Sequence, residues 1–225
     1  MREYEIEQTS LTFIWTFDRM LPSLPAPGTP AFAILCKLLH PYGLTSSKIT
    51  GDAPTSRLSD TVIRIILLDN RLGIKIKFNS VEVFCDDLFE GDEKLLLEIV
   101  NSLFAALREI DEEVLQGKVQ IRISTHLGLK PRENFSVICE HLTSIGEPNF
   151  IPEAAIYQVK PETDSAAKAL RVFISNSVVY KDALFAEVSA DYENVTNMNQ
   201  FAESVEKDFY SVIGMLGLKE RQVEV

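Results

Sequence analysis

Few residues able to do acid–base, nucleophilic or metal chemistry occur in this sequence, and their spacing is poor for any of the three. The histidines are His40, His126 and His141, and none has a second His or Cys at the spacing a metal site uses. Cys139 and His141 are two residues apart, so on a strand they share a face. A Cys–His pair can activate a thiolate. It also needs a group to orient the base and donors for the developing oxyanion, and no motif nearby supplies either. The run DDLFEGDE gathers Asp86, Asp87, Glu90, Asp92 and Glu93. A divalent cation needs several oxygens converging on one point, and the EF-hand spacing is absent. Carboxylates at the start of a helix are already explained by the helix dipole. An enzyme using Asp86, Asp87 or His141 is therefore the weakest of three functional readings. Neither glycine-rich phosphate loop occurs, nor GxSxG, nor HExxH. No catalytic, cofactor-binding or metal-binding residue is assigned, and no cofactor is expected.

Two other groups of residues carry more information. Arg64, Lys75, Lys77, Lys118 and Arg122 come from neighbouring segments of strand character, and Lys75, Lys77 and Arg122 alternate with apolar residues. That pattern puts them on the wet face of an antiparallel sheet. Arg64, Lys75, Lys77 and Arg122 are the candidate surface for a protein partner or ligand. The stretch shows no aromatic residues on that face, which argues against base stacking and so against RNA. Phe78, Phe104, Phe173 and Phe209 are the candidate lining of an apolar cavity between a helix and a curved sheet. Phe13, Trp15 and Phe17 share one face of an N-terminal strand. Such a stripe is core, or a contact for a partner or second copy if the strand lies at an edge.

The elements that must position these residues can be read from periodicity. Leu11–Phe17 has strand character, and residues 21–30 form a proline-rich connector. A helix follows over Ala31–His40, and residues 45–57 read as a polar loop. Thr61–Leu68, Gly73–Phe78 and Val81–Cys85 form three strands in succession. Asp92 opens a helix running to about Gln116, with Leu96, Val100, Leu103, Leu107, Ile110 and Val114 on one stripe and Gly117 as its cap. Val119–Leu127 returns as a strand. Residues 135–142 read as strand or short helix. Ala155–Val159, Leu170–Ser175 and Ala183–Asp191 are strands. A last helix carries Met198, Phe201, Val205, Phe209, Val212 and Leu216 on one stripe and stops at Gly217. The residues after Leu218 read as frayed.

Three strands followed by a long helix thus occur twice, near 61–116 and 155–216. The fold class is α+β: antiparallel sheet or sheets with long amphipathic helices on one face, built from duplicated βββα units. The division falls at 1–130 and 131–225, within one continuous domain or two.

Composition limits the functional classes. The chain has 225 residues, 46% hydrophobic and 24% charged, as in an ordinary globular protein. Its net charge of −11 disfavours nucleic acid, whose binding scales with phosphates neutralised. Three separated cysteines, Cys36, Cys85 and Cys139, argue against a disulfide framework. No signal-peptide pattern opens the sequence and no apolar run approaches the ~20 residues of a membrane span, so a cytoplasmic protein is expected. The leading reading is a non-enzymatic interaction protein, such as an adaptor, chaperone-like subunit or inhibitor. It would act through an acidic surface and a sheet face on a protein partner or a second copy. A small-ligand-binding domain is the alternative.

Overall fold

Period-two alternation along the strands builds a mixed α/β architecture in which a ten-stranded sheet dominates. The computed structural model describes residues 2–52, 61–89, 91–110, 117–130, 154–161, 165–181, 183–193, 195 and 198–220. The strands are β1 (Arg2–Thr16), β2 (Ile49–Asp52), β3 (Val62–Leu67), β4 (Leu72–Ile76), β5 (Ser80–Cys85), β6 (Lys118–Lys130), β7 (Ala154–Val159), β8 (Ala169–Asn176), β9 (Ala183–Glu193) and β10 (Leu218–Glu220). Among the described residues three α-helices accompany them: α1 (Pro30–Leu39), α2 (Asp92–Ile110) and α3 (Met198–Met215). The sheet order is β2-β3-β4-β5-β1-β6-β9-β8-β7, every neighbour antiparallel, with β10 added in parallel to the start of β1. The sheet runs without interruption across residue 130, because β6 pairs with β1 on one side and β9 on the other.

β1 is the centre of the molecule, not an edge. It pairs with β6 from Glu3 to Thr16 and with β5 from Leu11 to Thr16. Trp15 is consequently 2% exposed, which removes the N-terminal strand as a contact for a partner or second copy. The register slips between Ile6 and Gln8, leaving Glu7 as an extra residue. A bulge of this kind shifts which residues face the core. Tyr4 therefore shares the buried side with Phe13 and Trp15 despite the change of parity.

One face of the sheet carries the core. Ile63, Ile65, Ile74, Ile76, Val81, Val83, Val119, Ile121, Val172, Ile174 and Val188 are buried there. The aromatic stripe of β1 ties the helices to this face. Trp15 stacks on Phe104 of α2 at 4.8 Å, and Phe13 meets Phe201 of α3 edge-on at 6.0 Å. α1 packs on α2, where the Tyr42 and Ser102 hydroxyls lie 3.2 Å apart. Thr29 caps α1, its hydroxyl accepting from the Phe32 N–H, with Pro30 at the first helical position. α3 is also anchored by polar contacts. The buried Asp208 carboxylate accepts from the Tyr192 hydroxyl at 2.8 Å and from Ser165 at 3.0 Å.

The helix stripes read from the sequence correspond to buried positions: Leu96, Val100, Leu103 and Leu107 in α2, and Phe201, Val205, Phe209 and Val212 in α3. Other elements differ from expectation. The loop over 45–57 contains β2. Leu218, Lys219 and Glu220 are not frayed, because the parallel ladder with Arg2, Glu3 and Tyr4 holds them. Gly117 is buried because a Cβ there would come within 2.1 Å of the Thr16 carbonyl oxygen. The readings at 135–142 and at Val114 lie outside the described residues. Among the described residues, no helix is long and apolar enough to cross a membrane.

Candidate functional site

The face of the sheet away from the helices is set by the same alternation that fills the core. Cross-strand register lines its residues up in rows. One row reads Arg64, Lys75, Glu82, Ile14, Gln120, Asp191. The next reads Ile66, Gly73, Phe84, Thr12, Arg122, Ser189, Arg171, Gln158. A third runs Ser10, Ser124, Glu187, Phe173, Ile156, and a fourth Gln8, His126, Phe185, Ser175. Apart from Gly73, which is buried, these residues are half-buried or exposed.

Three of the four basic candidates sit in these rows, but they do not form a positive field. Lys75 donates to Glu82 at 2.7 Å, and Arg122 lies 3.5 Å from Glu187. Arg171, one strand further on, lies 3.4 Å from Asp191. Arg64 is exposed beside Lys75. Lys77 falls one residue beyond β4, in the hairpin where its backbone N–H donates to Ser80. Each base on the sheet is thus followed along its row or on the next by an acid. Interleaving of this sort gives a polar but locally neutral surface, and pairs this exposed contribute little stability.

Aromatic residues are present on this face, contrary to the expectation from sequence. Phe84 lies over Gly73, where a Cβ would come within 2.0 Å of its ring, and the Lys75 ammonium rests 4.5 Å from its centroid. In the second half, Phe173 and Phe185 meet at 6.0 Å, Phe185 and His126 at 5.1 Å, and His126 and Tyr180 at 5.3 Å. Ile156 adjoins Phe173 and is 74% exposed. Alternation against the buried Val83, Cys85, Val172 and Ile174 placed these rings outward, and that signal was legible.

His126 is fixed by Ser177. The Ser177 hydroxyl oxygen accepts from the backbone N–H of Val179 at 3.1 Å and of Tyr180 at 2.8 Å. Its two lone pairs are then occupied, so its proton is directed to Nδ1 of His126, 2.8 Å away. Burial moves the ring's pKa below the ordinary histidine value, which favours its neutral form. The arrangement secures the hairpin between β8 and β9. It offers no free nucleophile, because the hydroxyl is committed three times over.

The four cavity candidates are not brought together. Phe104 and Phe209 are core residues on the helix side. Phe173 is on the opposite face, and Phe78 is half-buried in the hairpin after β4, where its carbonyl accepts from the Leu21 N–H. An open depression of about 330 Å³ does exist, but on the outer face. Ile14, Thr16, Lys118, Gln120, Lys168 and Asp191 are among its lining residues.

The acidic run is explained by its own geometry. Asp92 accepts from the Phe89 N–H and from the Arg71 guanidinium, whose hydrogen bond holds the Asp92 carboxyl below its usual pKa. Arg71 also covers the Phe89 ring at 4.7 Å. Glu93 accepts from Gly91, and Asp87 from the Gln8 side chain. No cluster of three or more His, Cys, Asp or Glu residues suited to a metal ion occurs among the described residues. Cys139 and His141 lie outside the described residues.

No known protein-family model matches this sequence, and no curated protein matches it.

Proposed function

We propose that the chain is a non-enzymatic, intracellular interaction protein whose partner is another protein, bound on the sheet face opposite the helices. The observation that carries the reading is the aromatic strip Phe173, Phe185, His126 and Tyr180, with Ile156 beside it and Phe84 on the same face. These side chains are left half-exposed or exposed while the opposite side of every strand but the two edge strands, β2 and β7, holds buried residues. Apolar and aromatic surface surrounded by paired charges is the anatomy of a protein contact, with a desolvated centre and a polar rim. The interleaved salt bridges support a protein over nucleic acid, since they leave few bases to meet phosphates.

The two halves of the sheet support a further reading, that the chain is a tandem repeat of one βββα unit. β3-β4-β5-β1 and β7-β8-β9-β6 run from opposite sides to the central β1–β6 pair, with β2 added outside β3, and α2 follows β5 as α3 follows β9.

A photo-crosslinking amino acid at position 84, 173 or 185, introduced in the native cell, tests the contact. The reading expects one discrete protein adduct from these positions and none from position 98, on the exposed side of α2. Adducts from position 98 alone would overturn it.

A further inference from the structure

The two edges of the sheet are unlike. β2 is four residues long, contains Gly51 and ends at Asp52. Short length, glycine and charge are the usual means by which an edge is protected from pairing. β7, at the other edge, reads Ala-Ala-Ile-Tyr-Gln-Val and has no charge, proline or glycine. Among the described residues it pairs only with β8. No position of β7 is fully buried, as is also true of β2 among its described side chains, but β7 lacks the glycine and charge that protect β2. Ala155, Tyr157 and Val159 pack against the core from the helix side while remaining half-exposed, and Ile156 is 74% exposed on the other side. The helix-side face of β7 is therefore apolar and incompletely covered, and the outer face presents Ile156 beside Gln158, as for an interior strand missing its neighbour.

We infer that β7 pairs antiparallel with β7 of a second copy, about a two-fold axis perpendicular to the sheet that passes between Ile156 and its counterpart. The sequence of the strand selects this occupant. An axis perpendicular to the sheet keeps the helices of both copies on one side, so residues facing each other must share a face. Centring on Ile156 sets Ala155 opposite the second copy's Tyr157 and Tyr157 opposite its Ala155. Small meets large on the helix side, on both sides of the axis. On the other face Ile156 meets its own counterpart, and the strip from Phe185 through Phe173 continues into the second copy. Charge agrees with this choice. In a chain of net charge −11, β7 and β8 hold Arg171 and no acidic residue, so the chain's excess negative charge is absent from this edge. The inference concerns the edge and is independent of what binds the face.

Sedimentation equilibrium of the full chain tests it, together with two variants. The wild type is expected at twice 25.3 kDa at micromolar concentration and Ile156→Lys at 25.3 kDa with an unchanged far-UV spectrum. Ile156→Cys is expected to form a disulfide between the two copies at position 156, while Thr50→Cys on β2 forms none; this reading stands even where the lysine variant fails to fold. A wild type that sediments as a single chain at every concentration overturns the inference, as does a dimer unaffected by Ile156→Lys or one cross-linked through position 50. So does a single chain whose β7 amides are protected from exchange, which would mean that the chain covers its own edge.

Discussion

The ring of Phe84 lies across Gly73 on the neighbouring strand, occupying the space a side chain at Gly73 would need. Glycine in the interior of a strand ordinarily weakens it, because it adds backbone entropy and packs nothing. Here the neighbouring ring fills the gap and in turn supports the Lys75 ammonium. The absent side chain at position 73 and the aromatic at position 84 are thus one device, and it sets the height of the outer face above β4.

Gly73→Ala is expected to push the Phe84 ring outward and to cost about 1–3 kcal/mol, in the range of overpacked sites. Phe84→Ala should make the alanine at 73 tolerable, so the two changes will be strongly non-additive. Urea unfolding of the two single variants and the double variant checks this; simple additivity would show that the ring does not constrain position 73.

Trp15 and Phe104 join β1 to α2 by a stacked contact at 4.8 Å between two buried rings. Truncating Phe104 to alanine should cost about 3–5 kcal/mol, the range for large aromatic deletions in cores. Phe173→Ala, on the outer face, should cost less than half of that. Equal losses at the two positions would mean that the outer face is packed like the core.

Tyr192→Phe removes a hydroxyl that donates to the buried Asp208 carboxylate. Hydrogen bonds to charged groups contribute about 1.5–3 kcal/mol, and a loss in that range is expected in chemical denaturation. Ser165→Ala takes away the second donor and should be milder, since Ser165 and Asp208 keep more contact with water than Tyr192 does. Burial and the adjacent carboxylate raise the Tyr192 pKa, so its phenol should resist ionisation until the chain unfolds in alkali.

His126 gives a pH dependence of definite sign. Burial lowers its pKa in the folded chain relative to the ordinary value of 6.5. The unfolded chain therefore takes up the proton first as pH falls. The stabilising contribution is complete above the unfolded value and is lost as pH drops through it toward the folded one. The wild type should lose more stability between about pH 7.5 and pH 5 than His126→Asn, which retains an acceptor for Ser177 but does not titrate in that range. Parallel losses in the two proteins would show that burial does not favour the neutral ring at position 126.

Local patterns in the sequence were sufficient where one face is buried and the other wet. Ile74, Ile76, Val81 and Val83 against Lys75 and Glu82 define β4 and β5, and the stripe from Leu96 to Leu107 defines α2. The first half of β1 was hidden because Glu3, Glu5 and Glu7 are poor strand formers. They are held by a long ladder to β6 that no local window contains. β2 and β10 were hidden by their length, since each exists through one neighbour only. At the outer face the bases were legible and their partners were not. Lys75 meets Glu82 across a hairpin, but Arg122 meets Glu187 across 65 residues of chain, and only the strand order brings them together. Phe173 shares its residue type with Phe104 but not its face, because the buried Val172 and Ile174 on either side direct it outward.

Radical footprinting of the aromatic rings tests the central claim most directly. In the isolated chain Phe84, Phe173 and Phe185 should be readily labelled, while Trp15, Phe104 and Phe209 should not. In the form recovered from its native cell, the outer three should become protected and the exposed sides of α2 and α3 should stay as they were. Unchanged labelling of the outer rings, with protection over the helices instead, would contradict the assignment of the sheet face as the surface through which this protein acts.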